Sequence, residues 1–405
     1  MEVAVVIGAN YGDEGKGLIT DYLAALDDSN TLVVRFNGGA QAGHTVQRPN
    51  GLRHVFRHFS GGTFAGAQTY LSDFFIANPI LFTQELEKLK SYSFSPKVTI
   101  HPNAIVTTPY DIYINQMFEN FQGKNRHGSC GVGISETIER NLHAKFQLTV
   151  RDLFDQEKLK EKLLKIRDEW LELRLGQLIQ RKLTQDEMDL IFSKEIFEYF
   201  LDNNIQNFLS YCEVADYSYL GEWDRLIFEG AQGLLLDQGH KNFPHVTRSN
   251  TGLQNVSTIA SLSNISHLDI HYVTRCYLTR HGAGPLPDEY PACPCPYFKD
   301  ETNIPHEFQG TLRFAPLNVD KLNLEITADL NKLSKQISKK VTLAVTCLDQ
   351  FEEKIPVVKE EGNIIELRKD EFLKYLFDKT EFDNYIFSDG PTREDCKPVI
   401  KHGCN

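Results

Sequence analysis

The residues best equipped for chemistry open the chain: Gly8-Ala9-Asn10-Tyr11-Gly12-Asp13-Glu14-Gly15-Lys16-Gly17. They follow the apolar run Val3 to Ile7 and precede the amphipathic segment Leu18 to Leu26, the order of a strand, a glycine loop and a helix. Glycines let backbone N–H groups converge on an anion, the helix start adds the positive end of its dipole, and Lys16 supplies a point charge for a phosphate oxygen. The spacing is not that of the ordinary P-loop, because six residues separate Gly8 from Gly15 and Gly17 follows Lys16 where a metal-binding hydroxyl would stand. Asp13 offers an oxygen to Mg²⁺ or a base beside a phosphate. The bland alternative is a glycine-rich turn carrying a solvated Lys, Asp and Glu cluster.

A second strand, from Val33, runs into Asn37-Gly38-Gly39-Ala40-Gln41-Ala42-Gly43-His44-Thr45. Together the two blocks resemble the N-terminal motifs GDEGKG and GGxNAGHT of the adenylosuccinate synthetase family. Ile227 to Asp237 and Phe243 to Thr251 resemble the family's EGAQGxxLD and YPxVTSSN, and Tyr277 to Pro287 resembles TRVGAGPFPTE with His281 at the valine. The loop 126–134 resembles the motif that holds the nucleotide's 5′-phosphate: Ser129, Gly131, Gly133 and Ile134 fit, while Cys130 and Val132 replace a threonine and an arginine. Thr346-Cys347-Leu348-Asp349 looks like the guanine-reading TKLD element, with Cys347 for lysine, and Ser388 to Arg393 resembles the STGPDR element that closes over the base. One carboxylate accepting from N1–H and the 2-amino group distinguishes guanine from adenine, so Asp349 points to GTP.

The resemblance implies a GTP-dependent ligase that joins L-aspartate to position 6 of a purine nucleoside monophosphate through a 6-phosphoryl intermediate. The nucleotide would be inosinate or a deoxynucleotide such as deoxyguanylate. Asp13, Lys16 and His44 would be catalytic. GTP would be held by Gly12, Gly15, Lys16, Gly17, Gly43, His44, Thr45, Asp349, Ser388 and Gly390. The monophosphate would meet Asp13, Gln41, Ser129, Arg140, Gln232 and Thr247, where Arg140, His143 and Lys145 are all near the place of the phosphate-binding arginine that the family borrows from a dimer mate, and Mg²⁺ would bind Asp13 and the Gly43 carbonyl. A phage branch acting on deoxyguanylate replaces the aspartate by serine in some members, so Asp13 favours the inosinate-like chemistry. The family's arginine-rich aspartate loop is missing: between 303 and 317 only Gly310 and Arg313 align, leaving Thr311 and Arg313 as candidates for the amine donor. Two readings compete with the ligase: a specialised viral or defence-related paralogue using another donor or none, and a noncatalytic GTP-binding regulator.

The elements that must position these residues alternate. Short strands and turns from 46 to 110, the helical spacing of Ile80 to Leu89, and buried runs at Val98 to Ile100 and Ala104 to Val106 predict an α/β fold with a large, mostly parallel sheet. Ser135 is the predicted cap of the helix after the third glycine loop. Residues 151 to 212 change character, with helical runs at Leu159 to Leu173 and Gln185 to Asn204, and read as a helical subdomain inserted into one domain spanning 1 to 405. Val341 to Val345 opens a guanine-binding part reaching about residue 395.

The 405 residues, 41% hydrophobic and 24% charged, are ordinary for a soluble globular chain. A net charge of −12 argues against nonspecific nucleic-acid or membrane binding, so an anionic ligand needs a local cationic cluster. The eight cysteines show neither a C-x-x-C pair nor zinc spacing, which fits reduced thiols in a cytoplasmic setting. Neither a signal peptide nor a membrane span is read at the N-terminus or elsewhere. The family's shared site predicts a homodimer.

Overall fold

The computed structural model describes residues 1–123, 130–179, 181–295, 297–298, 311–351, 354–358 and 362–400. Its strands are β1 (Glu2–Gly8), β2 (Thr31–Arg35), β3 (His44–Gln47), β4 (Arg53–Phe56), β5 (Gln68–Leu71), β6 (Val98–Ile100), β7 (Cys212–Val214) and β8 (Arg225–Gly233). There follow β9 (His267–Arg275), β10 (Tyr277–Arg280), β11 (Arg313–Asn318), β12 (Ser338–Thr346), β13 (Lys354–Val358), β14 (Ile364–Arg368), β15 (Asn384–Ser388) and β16 (Cys396–Ile400).

Ten strands form one sheet in the order β16-β15-β12-β9-β1-β8-β2-β5-β6-β7. All neighbours are parallel except β15 and β16. β1 is apolar at successive positions because both its faces are covered: Val5 and Ile7 enter one core cluster and Val6 another. The chain builds outward from β1 through β2 to β7, returns to lay β8 against β1, and then crosses to β9 on the other side. Ligands of such sheets sit beyond the carboxyl ends of the strands where the order reverses. Here that point is the end of β1, which is the Gly8 to Gly15 loop.

A second apolar cluster lies under helices Pro79–Ser91, Pro109–Gln122, Gln156–Lys165 and Gln206–Tyr211, around Phe82, Ile114, Leu163, Trp170 and Phe208. Three sequence readings change here. Ala104 to Val106 joins its neighbours only through single bridges, Ala77 with Val106 and Ile105 with Thr149, because Pro102 and the capped helix start at Thr108 confine it. The predicted helix Gln185 to Asn204 is interrupted after Ile191, where Ser193 accepts from Ile196 N and starts a new one. Ser135 is not a cap: helix Ile134–Asn141 begins after Gly133, whose φ of 79° is readily reached by glycine. No described helix is long and apolar enough to cross a membrane.

Helix α1 (Lys16–Ala24) carries a tether to the far end of the site. Asp21, fully buried, lies 2.9 Å from the Arg393 guanidinium in the loop after β15. Burial pushes the Asp21 carboxyl up to about 6, against the pull of Arg393. An acid whose folded pKa exceeds its unfolded one keeps its proton longer when folded, so this residue's contribution falls as pH rises from about 4 to about 6. The unfolding free energy of Asp21→Asn should therefore be flatter over that window, by about 1–3 kcal/mol, in urea titrations at each pH.

Candidate active site

A cavity of about 510 Å³ opens at the end of β1, lined by Asp13, Gly15, Lys16, Gly17, Gly43, His44, Thr45, Asp349 and Gly390 among others. Nine of the residues that sequence reasoning marked are thus brought together. The loop is pinned from neighbouring strand ends: Arg275, closing β9, donates from Nε to the Asp13 carbonyl, and Thr346, closing β12, donates to the Glu14 carbonyl at 2.9 Å. Gly15, with φ of 90°, turns the chain into α1. Gly8 has no room for a side chain, because a Cβ there would lie 2.3 Å from Glu14 Oε2 and 3.0 Å from Lys16 Nζ. Burial pushes the Glu14 carboxyl up to about 8, opposing the attraction of Lys16, and burial also pulls the Lys16 ammonium down. An incoming phosphate would hold Lys16 charged.

His44, buried at the start of β3, has Nδ1 2.8 Å from Glu229 Oε1 and Nε2 3.3 Å from Arg35 Nη2. Glu229 accepts from the Gly61 N–H at 3.2 Å and lies 3.5 Å from Arg35 Nε. Burial alone would raise the Glu229 carboxyl, but His44, Arg35 and Gly61 together hold it down at about 2. Burial lowers the His44 pKa while Glu229 opposes that shift, and the acceptor-only carboxylate places a proton on Nδ1. In this arrangement Nε2 faces Arg35. A hydrogen bond from His44 Nε2 to a bound phosphate needs a different Arg35 or ring orientation.

At the other end of the cavity Cys347 takes a left-handed backbone, φ 63°, and turns Leu348 and Asp349 past Gly390 and Pro391. Cys276 donates from Sγ to the Cys347 carbonyl at 3.3 Å. Ser388 lies outside the lining; buried at the end of β15, it donates to the Gly390 carbonyl at 2.7 Å and shapes the loop. Among described residues no group of three or more His, Cys, Asp or Glu side chains could hold a metal. Asp13 and Gly43 line the same cavity, and one carboxylate with one backbone carbonyl is a donor set that fits Mg²⁺ held chiefly through phosphate oxygens.

Beside the loop lies a second feature, the end of β8 at Gln232. A Cβ on Gly12 would sit 3.3 Å from Gln232 Cα, so the Asp13 loop runs directly against Gln232. Asn37 clasps Ala231 in both directions, at 2.7 and 3.2 Å, and fixes the 37–41 loop against the end of β8. Gln41 Nε2 and Gln232 Oε1 both border the space over Gly38, 3.4 and 3.6 Å from where its Cβ would be. Both amide atoms of Gln41, and Oε1 of Gln232, are shielded and have no hydrogen-bond partner among the described residues. Unmade, each such bond costs about 1–3 kcal/mol. Thr247, half-buried, holds its loop through backbone bonds to Leu236 and Ser249.

Two cationic candidates are corrected. Arg140 cannot serve a partner's nucleotide: fully buried, it pairs with Asp111 at 2.8 Å and donates to the Val106 and Phe146 carbonyls, both at 2.7 Å. Arg313 does not present an open fork, because Nε and Nη2 engage Glu289 and Nη1 donates to Gly282 and Gly284 carbonyls at 3.1 and 2.8 Å. Thr311 is exposed at the edge of the described segment. Ser129 and Gly310 lie outside the described residues. Sequence reasoning passed over Arg275 and the structural work of Glu229. A cation closing one apolar strand and a carboxylate inside another were the available signals.

The family model described as adenylosuccinate synthetase matches residues 5–312. The chain belongs to the adenylosuccinate synthetase family. The adenylosuccinate synthetase of Thermoplasma acidophilum is 32% identical over 288 residues, 71% of this chain and 64% of the relative. That of Pelodictyon phaeoclathratiforme is 31% identical over 316 residues, 76% of this chain and 68% of the relative. These matches thus span about two thirds of the relatives' length. In fold the chain is similar to a fully ligated adenylosuccinate synthetase from Plasmodium falciparum, with TM-score 0.68 and 20% identity over 98% of this chain and 99% of that one. It is also similar to the cyanophage S-2L succinoaminodeoxyadenylate synthetase bound to dGMP and dATP, with TM-score 0.59 and 15% identity over 98% and 95% of the two chains.

Proposed function

We propose that this member of the adenylosuccinate synthetase family is a GTP-dependent ligase that joins L-aspartate to C6 of a purine nucleoside monophosphate. The observation that carries the reading is the pairing of unsatisfied amide atoms, Gln41 Nε2 and Oε1 and Gln232 Oε1, beside Gly38 and the Asp13 loop. Such groups fit a polar heterocycle that supplies both donors and acceptors.

In this reading Asp13 removes the N1 proton of the 6-oxopurine, and O6 attacks the γ-phosphorus of GTP while the bond to the β-bridging oxygen breaks and GDP leaves. Lys16 and the loop amides neutralise charge on the phosphates. The amine nitrogen of aspartate then adds at C6, the C6–O bond breaks, and inorganic phosphate leaves with O6. Mg²⁺, bound through Asp13 and the Gly43 carbonyl, would neutralise the triphosphate. Asp349 would accept from guanine N1–H and the 2-amino group.

The test is phosphate release from GTP or ATP with inosinate, guanylate or deoxyguanylate, each with and without L-aspartate, followed by mass analysis of the purine. An aspartate-dependent succinyl adduct supports the ligase, and the best nucleotides name the substrates. Phosphate release without an adduct would leave only the phosphorylating half and overturn the ligase. Gln232→Ala should raise KM for the monophosphate by about tenfold or more while leaving thermal stability unchanged or slightly higher, because the variant removes an unpaired buried oxygen.

A further inference from the structure

The proposed chemistry uses no cysteine, yet two of them stand between solvent and the loop at the end of β1. Among the seven described cysteines Cys293 is the exposed one, and Cys295, two residues on, is buried. Pro294 between them fixes its own φ and narrows the backbone choices of Cys293, which keeps the pair in one short segment. Cys293 donates from Sγ to the Cys295 carbonyl at 3.9 Å, and the two side chains are also within hydrogen-bonding reach of each other. Burial first, and then the neighbouring Cys293, push the Cys295 thiol well up, against a hydrogen bond that it shares with Tyr277.

Tyr277 is the link inward. Fully buried at the start of β10, its hydroxyl accepts from Arg275 Nη1 at 2.7 Å and donates to Gln350 Oε1. Arg275 holds the Asp13 carbonyl through Nε, and both Arg275 and Gln350 line the cavity at the end of β1. One phenol thus joins the Cys295 thiol to the clamp on the Asp13 loop and to the cavity wall. A hydroxyl has one proton to give and two lone pairs, so a change at Cys295 bears on both of its other bonds.

We propose that Cys293 and Cys295 form a redox-responsive disulfide that loosens the Asp13 loop through Tyr277 and Arg275. Hydrogen peroxide oxidises the exposed Cys293 thiolate to a sulfenic acid: the O–O bond breaks, one oxygen bonds to sulfur, and the other leaves as hydroxide and takes up the proton the thiol gave up. The Cys295 sulfur then displaces the sulfenic oxygen, which leaves as water with the Cys295 proton. One peroxide and two thiols give one disulfide and two waters. Bonding to Cys293 takes the Cys295 sulfur from Tyr277, whose bonds to Arg275 and Gln350 then shift. A dithiol reductant reverses the step by exchange.

The test treats the reduced full chain with stoichiometric hydrogen peroxide. It reads the mass of the Cys293–Cys295 peptide, hydrogen exchange of the Gly8–Gly17 segment, and phosphate release with GTP, inosinate and L-aspartate; only the last readout rests on the ligase reading. Wild type should lose two hydrogens from that peptide, exchange the loop amides about tenfold faster and fall about fivefold in kcat/KM, each change undone by dithiothreitol. Cys293→Ser should show none of the three changes and keep the reduced activity. Tyr277→Phe should still form the disulfide but show no further change in loop exchange, because the link is already cut. Thiols left unoxidised, oxygen atoms retained on Cys293, or a disulfide through Cys276 or Cys347 would overturn the pair. A Cys293–Cys295 disulfide with loop exchange unchanged would overturn the link. If reduced wild type turns nothing over, the ligase reading fails, while mass and exchange still decide the thiol pair.

Discussion

Asp13→Asn is expected to lower kcat/KM for the monophosphate by roughly 10³-fold, with the fold intact. Asparagine is the informative replacement because Asp13 sits at φ 54°, a left-handed conformation that asparagine tolerates and alanine resists. The loop is held through backbone groups, the Asp13 carbonyl by Arg275 and the Glu14 carbonyl by Thr346, so removing the carboxylate leaves those clamps in place. On the proposed mechanism, what is lost is the base for the purine N1 proton and an anionic oxygen on the cavity at the end of β1. Single-turnover phosphate release, with melting curves as the control for folding, checks this. Activity within tenfold of wild type would remove Asp13 from the chemistry.

The second large effect concerns stability. Glu229→Gln leaves Arg35, fully buried, without its counter-charge, while the carboxylate that received His44 and the Gly61 N–H becomes a neutral amide. Breaking a buried ion pair from one side costs about 3–5 kcal/mol, and urea unfolding should show a loss of that order. Adding Arg35→Met to Glu229→Gln should cost less than the two single changes summed, because the unpaired charge is gone. Recovery stays incomplete, since the carbonyls of Arg57 and Phe59 lose the donor they share in Arg35. Strict additivity would mean that Arg35 and Glu229 do not act as a pair. Turnover by Glu229→Gln should also fall, since a glutamine amide can either accept from or donate to Nδ1 and no longer fixes one tautomer of His44.

The parts of this fold that were readable in the sequence are those whose signal is local. β1 is apolar on consecutive positions because both faces are buried, and residue type and spacing mark the Gly12 to Gly17 loop as the turn from that strand into a helix. Pairings across the sheet were not readable. Arg35 and Glu229 each sit inside a motif that reads well for other reasons, and only the neighbouring placement of β2 and β8 joins them. Arg140 shows the opposite failure: a cation near a helix end looks available until Asp111 and the Val106 and Phe146 carbonyls are seen around it. Arg313 misleads in the same way through Glu289. Ser135 has the residue type of a cap, but the left-handed turn at Gly133 takes the cap position and starts that helix at Ile134.

The central claim is that O6 of the purine becomes a phosphate ester before the amine enters. It is tested most directly with inosinate or deoxyguanylate carrying ¹⁸O at O6, in the presence of GTP, Mg²⁺ and L-aspartate, with mass analysis of the released phosphate. The account predicts that the label appears in inorganic phosphate in step with formation of the succinyl adduct. Label retained in the purine, or phosphate released without label, would contradict it.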